Sequence, residues 1–213
     1  MDKKAFYKLS YGLYIISTVY EGKSAGCIVN TLSQVTSSPA QVTVAINKEN
    51  YTAKVLAKSG YFAGVVLTQK ADMDLISEFG FKTSETVDKF EKYSYLKDLN
   101  GVPYIKDNIA SRFSCKVVDK LDCGSHIVFL GEVLDSEVLS SDKPLTYDYY
   151  REEKKGYTPP KASSFNGEKP NNKKGEVKGY RCTVCNYHLE SDTIPPNFVC
   201  PICSQGADKL VKL

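Results

Sequence analysis

Two Cys-x-x-Cys pairs near the C-terminus, Cys182/Cys185 and Cys200/Cys203, constrain this chain more than any other feature. Four thiolates at that spacing, with fourteen residues between the pairs, can close a tetrahedron around one metal ion. The stretch that carries them, residues 179–213, is too short to fold on an apolar core alone, so a metal would supply folding energy. The spacing leaves two metals open: zinc as a structural staple, or iron as a one-electron carrier. Asn186 and Ser204 follow the two pairs, where a metal knuckle needs φ > 0. Asn adopts that conformation readily, and Ser at a cost of about 1 kcal/mol.

Seven cysteines is an odd number, and four of them stand at metal-ligand spacing. That pattern fits a reducing, cytoplasmic setting better than a disulfide scaffold. Cys27, Cys115 and Cys123 sit among apolar residues and read as buried structural thiols. A net charge of +3 implies neither a nucleic-acid nor a membrane partner. No apolar run reaches the length of about eighteen residues that a membrane span needs. The opening Met-Asp-Lys-Lys leads into no signal-peptide hydrophobic region.

Upstream, hydrophobic periodicity predicts a mainly β domain with short helices. Strands are expected over Leu13–Tyr20, Cys27–Thr31, Gln41–Ile46, Tyr61–Leu67, Val102–Ile105, Ile109–Leu121 and His126–Val138. Glu21–Ser24 and Asp122–Ser125 read as hairpin turns, and Gln34–Ser38 as a polar stretch ending at Pro39. Helices are expected from Asp2 to about Leu9, after a cap at Asn50 or Thr52 with Gly60 as stop, over Asp72–Phe79 with Gly80 as terminator, and over Ser84–Phe90. Many short strands and few helices point to an antiparallel barrel or sandwich.

After Leu145 the composition becomes charged and Tyr-rich, and Pro159-Pro160 stops any helix. From Ala162 to Gly179 it is Ser, Asn, Gly, Pro and Lys, a linker composition with an r.m.s. reach of about 25 Å. The expected organisation is a domain over 1–160, a flexible linker over 161–178 and a small four-cysteine domain over 179–213. Lys169, Lys173, Lys174 and Lys178 in the linker are diluted by Glu168 and Glu176, so the segment reads as solvated.

The residues around the cysteines carry a resemblance. Tyr180-Arg-Cys-Thr-Val-Cys-x-Tyr187 and Phe198-Val-Cys-Pro-Ile-Cys203 resemble rubredoxin, the one-iron electron carrier. Tyr180, Tyr187 and Phe198 stand where that family has its small aromatic core. The spacer is close to that of the short rubredoxin-like domain of rubrerythrins, and Ser204 stands where Gly is usual. The resemblance implies iron in the four-cysteine site, with zinc as the alternative.

The large domain has no dinucleotide or phosphate-loop glycine motif, and of two histidines only His126 lies in it. Its residue types alone leave it a mostly β domain without an assigned chemistry. However, Tyr11-Gly-Leu-Tyr-Ile-Ile-Ser17, Gly26–Pro39, Val42–Lys48, Tyr51-Thr52 and Ser59–Phe62 look like the flavin-reductase-like FMN-binding domain. So do His126–Val133 and the tail Tyr149–Ala162. That family implies a split β-barrel homodimer that holds FMN non-covalently.

By position, Asn30, Thr31, Leu32 and Ser33 would border the isoalloxazine. Ser33, Gln34, Thr36 and Ser37 would serve ribityl and phosphate oxygens. Lys48, Asn50 and Thr52 would seat the phosphate at a helix N-terminus. His126 would be the catalytic residue that orients a nicotinamide donor. The fused pair resembles the high-molecular-weight rubredoxins, implying an oxidoreductase that takes electrons from NADH or NADPH through FMN and iron. The acceptor implied is a partner redox protein, a diiron flavoprotein reducing O2 or NO.

Overall fold

The computed structural model describes every residue except 155, 157, 160, 166–178 and 186, and does not describe the side chains of residues 3, 4 and 7. The expectations for the linker over 166–178, for Asn186, and for Tyr157 and Pro160 lie outside the described residues.

A period of two in the apolar residues produces the strands. β1 (Tyr14–Tyr20) and β2 (Lys23–Val29) form a hairpin about Glu21 and Gly22, both at positive φ. β3 (Ser33–Ser37) follows, and then β4 (Ala40–Asn47), which buries Val42, Val44 and Ile46 on one face. Helix α1 (Tyr51–Ser59) starts at Asn50, whose side chain accepts from Thr52 N–H. It ends at Gly60 in the left-handed region, where the Gly60 amide donates to Leu56 O. β5 (Tyr61–Leu67), α2 (Met73–Phe81), β6 (Tyr95–Lys97) and β7 (Pro103–Ile105) come next. The long hairpin of β8 (Ile109–Asp122) and β9 (His126–Val138) and helix α3 (Tyr147–Glu152) complete the large domain.

Seven strands make one antiparallel sheet in the order β2-β1-β5-β8-β9-β4-β3. The sheet curls so that β2 approaches β4. The Thr31 hydroxyl ties the two, donating to Ala45 O at 2.8 Å and accepting from Ala45 N–H at 3.2 Å. This is the split β-barrel that the resemblance implies. The barrel interior packs Ile16, Leu32, Val44, Ile46, Phe62, Cys115 and Phe129 against Ala53 and Leu56 of α1. Successive side chains on β1 and β5 point to opposite faces, so Ile15, Ala63, Val65 and Leu67 enter a second core. Leu75, Ile76 and Phe79 of α2, with Phe90 and Tyr150, cover that core.

Five elements differ from the sequence expectations, one of them the short exposed strand β6, which no expected strand covers. Gly80 lies inside α2, which runs to Phe81 because the Phe81 ring packs against the four C-terminal cysteines. Residues 84–90 form turns instead of a helix. Ser84 Oγ accepts from Gly26 N–H and donates to Gly26 O, and Lys89 Nζ donates to Gly26 O and Phe79 O. The segment thus exchanges helical bonds for ties to β2 and α2. Burial pulls the Lys89 ammonium down to about 8. The polar stretch before Pro39 is the exposed edge strand β3. Residues 147–152, within the charged Tyr-rich stretch for which no element is expected, form α3 with Thr146 as its cap. In addition, Cys123 is exposed in the β8–β9 turn, while Cys27 and Cys115 are buried as expected.

The C-terminal module is a three-stranded sheet, β11-β10-β12, built from β10 (Tyr180–Cys182), β11 (His188–Leu189) and β12 (Leu210–Lys212). Among the described residues, no helix is long and apolar enough to cross a membrane.

Candidate functional site

The four-cysteine centre is assembled from two turns that aim their thiols at one point. The four Sγ atoms of Cys182, Cys185, Cys200 and Cys203 lie within 4.8 Å of one another, with all four residues buried. Cys182 and Cys203 stand 3.5 Å apart, and Cys185 and Cys200 3.4 Å. Ser204 takes φ 58°, the left-handed conformation expected of it. Backbone amides turn inward: those of Cys185 and Val184 point at Cys182 Sγ, that of Tyr187 at Cys185 Sγ and that of Gln205 at Cys203 Sγ. Burial pushes the Cys203 thiol up to about 12 and raises that of Cys185. At Cys182 burial also opposes ionisation, but the amide donors together with the Cys203 and Cys185 thiols outweigh it, and the thiol sits below its ordinary value. Four thiolates cannot share this space without a cation, and a tetrahedral thiolate set suits iron or zinc. Val184, Tyr187, Phe198, Ile202 and Leu210 pack around the cysteines, with the Tyr187 and Phe198 rings stacked at 6.4 Å.

A cavity of about 640 Å³ lies between the barrel and this module. That volume suits a single cofactor-sized ligand. Asn30, Asn50 and His126 all line it, so two of the residues expected to hold flavin and the one expected to orient the donor come together although far apart in sequence. Asn50 places the N-terminus of α1 on the wall, where the helix dipole favours an anion. Asn30 is 7% exposed at the end of β2. Its amide is held by the segment after α3, donating to Ser164 Oγ at 2.9 Å and accepting from Ser163 Oγ at 3.0 Å. His126 Nδ1 is 2.8 Å from Ser125 Oγ. Burial lowers its pKa, partly offset by the Lys161 backbone carbonyl, so the ring is neutral near pH 7. A neutral imidazole with amides and apolar walls from Ile46 and Phe81 fits a flat heteroaromatic cofactor.

The other expected contacts lie off this wall. Thr31 is engaged with Ala45, Leu32 is buried in the barrel and Thr52 is buried in the first turn of α1. Ser33, Gln34 and Ser37 are exposed on β3 with Thr36 half-buried beside them. Lys48 pairs with Asp122 across the β8–β9 turn. Sequence reasoning missed Asn47, Tyr147, Lys161 and Ser163 on the cavity wall. For Tyr147 and Ser163, which flank the family-like tail over 149–162, and for Lys161 within it, the resemblance was the nearest sequence signal, and it carried no assigned role.

Comparison with known proteins bears on both parts. Residues 6–156 match the profile of the Flavin reductase like domain. The chain belongs to this family. Residues 180–210 match the rubredoxin-like domain of rubrerythrin, so the flavin reductase-like barrel carries a rubredoxin-like tail. The chain is 34% identical to the high molecular weight rubredoxin of Moorella thermoacetica over 98% of both proteins. It is 41% identical to a ferric-chelate reductase (NAD(P)H) of Archaeoglobus fulgidus, over 78% of this chain and 98% of that one. The barrel also superposes on nitrilotriacetate monooxygenase component B of Mycobacterium thermoresistibile with TM-score 0.60 and 27% identity, covering 68% of this chain and 79% of the other. Barrel, tail and relatives together make this chain an oxidoreductase built for electron transfer.

Proposed function

We propose that the chain takes electrons from NADH or NADPH, passes them through FMN to one iron held by Cys182, Cys185, Cys200 and Cys203, and delivers them to a partner redox protein, a diiron flavoprotein reducing O2 or NO. The observation that carries this reading is the shared cavity: Asn50 and His126 of the barrel and Cys203 of the metal centre line the same space. Flavin supplies hydride acceptance and single-electron release, and an iron held by four thiolates takes one electron at a time. Asn30 and Asn50 fix the ligand by hydrogen bonds, the α1 N-terminus favours its phosphate, and neutral His126 donates to or accepts from the nicotinamide amide. Thr31, Leu32, Lys48 and Thr52 hold the loop and helix start behind the wall. Ser33, Gln34, Thr36 and Ser37 offer hydroxyl and amide groups on the edge strand.

The reading divides the chain into 1–160, a linker over 161–178 and 179–213. It places the protein in the cytoplasm, where unpaired cysteines keep their thiols. It also takes the protein to be a homodimer, supported by Val35, Leu134 and Val138 standing exposed on the sheet.

Asn50→Ala tests the cavity assignment. Losing the cap lowers stability by about 1 kcal/mol, and losing a ligand contact raises the FMN dissociation constant about tenfold. Flavin fluorescence titration of the apoprotein measures it, and an unchanged constant would count against the site.

A further inference from the structure

The metal module does more than border the cavity; it is fastened there by α2. Ser77, 4% exposed, donates its hydroxyl to Ile202 O, in the turn between Cys200 and Cys203. A serine inside a helix usually turns its hydroxyl to its own backbone or to water, so its use across the two parts marks a docking contact. One turn on, Phe81 both lines the cavity and packs against the four cysteines. From the module, Thr183, Val184, Cys203, Ser204 and Gln205 form part of the same wall.

A space of about 640 Å³ takes one flavin-sized ligand. A dinucleotide does not fit beside it while the module stays in place. We infer that Ser77 and Phe81 are positioning residues for electron transfer, seating the four-cysteine module over the cavity, and that the module and the nicotinamide donor occupy this position in turn. The inference rests on the flavin reading above. Among the described residues, the Ser77 hydrogen bond and the Phe81 ring fasten the module, a contact of the kind that forms and breaks readily.

The electron count fits the alternation. Each NAD(P)H gives up one hydride from its C4–H bond, which is two electrons and a proton, and solvent supplies a second proton to the flavin. NAD(P)+ then leaves. The two electrons depart singly, each reducing ferric iron to ferrous, and two protons return to solvent. Between them the partner redox protein reoxidises the iron, so the module is used twice for every donor.

The test uses the full chain loaded with flavin and iron, with Phe81→Ala and Ser77→Ala. After anaerobic mixing with NADH, iron reduction is expected to slow about tenfold in Phe81→Ala. Because Phe81 also walls the cavity, the donor step is read in Ser77→Ala, where flavin bleaching is expected to hold or quicken, with a lower KM for NADH. Small-angle scattering without donor should give a larger radius of gyration for Phe81→Ala than for the unmodified chain. Ser77→Ala, which removes one hydroxyl outside the cavity wall, should slow iron reduction and raise the radius of gyration in the same directions by less. In Ser77→Ala, both phases slowing together, or all readouts unchanged, would overturn the inference. Photoreduction of the flavin bypasses the donor and separates the two claims. If NADH bleaches nothing, the donor reading and the alternation fall together. Slowed iron reduction after photoreduction in Phe81→Ala would still support the positioning role.

Discussion

Replacing Cys182 with Ser is expected to strip the metal from the tail, unfold residues 179–213 and stop electron delivery to protein acceptors, while flavin bleaching by NADH continues. The module buries little besides the cysteines themselves and five partly buried neighbours from its own sequence. Such a core cannot offset the chain entropy of so short a segment. Coordination by four thiolates supplies on the order of 10 kcal/mol of folding energy in metal-dependent modules of this size. A serine hydroxyl replaces a soft thiolate with a hard, protonated ligand and breaks the set. Elemental analysis for iron and zinc, and hydrogen exchange over β10 and β12, measure the loss. Retained metal, with electron transfer to an acceptor protein unchanged, would refute the relay.

Phe62→Ala is expected to destabilise the barrel by about 3–5 kcal/mol. That is a large share of the roughly 5–15 kcal/mol available to a domain. Phe62 is 0% exposed at the centre of the barrel interior. Its ring occupies the space beside Gly131, where an added Cβ would come within 2.6 Å of the ring edge, and its strand neighbour is Cys115. Alanine leaves a void that the surrounding strands, tied into one sheet, cannot collapse to fill. The urea midpoint of the large domain reports the change, and a loss below about 1 kcal/mol would contradict this packing.

What was legible in the sequence was local. The span of β5, the Asn50 cap, the Gly60 stop and the four thiols follow from residue type and spacing over short distances. What was not legible depends on partners far along the chain. Gly80 does not end α2, because Phe81 has the distant cysteines to pack on. Residues 84–90 lose their helix to Gly26, about sixty positions away. Asn30 was named from family position, but its hydrogen bonds to Ser163 and Ser164 span more than 130 residues. The cavity joins segments from β2, β4, α1, α2, β9, α3 and the metal module, a juxtaposition that no local pattern announces.

The central claim is that one chain carries electrons from a nicotinamide to an iron through a flavin. An anaerobic visible spectrum of the purified full-length protein, before and after NADH is added, tests it most directly. The account predicts flavin and ferric thiolate bands at the start, bleaching of the flavin on addition of NADH, and bleaching of the iron band following it. A spectrum that shows both bands and does not change with NADH, or a tail without iron absorption, would contradict it.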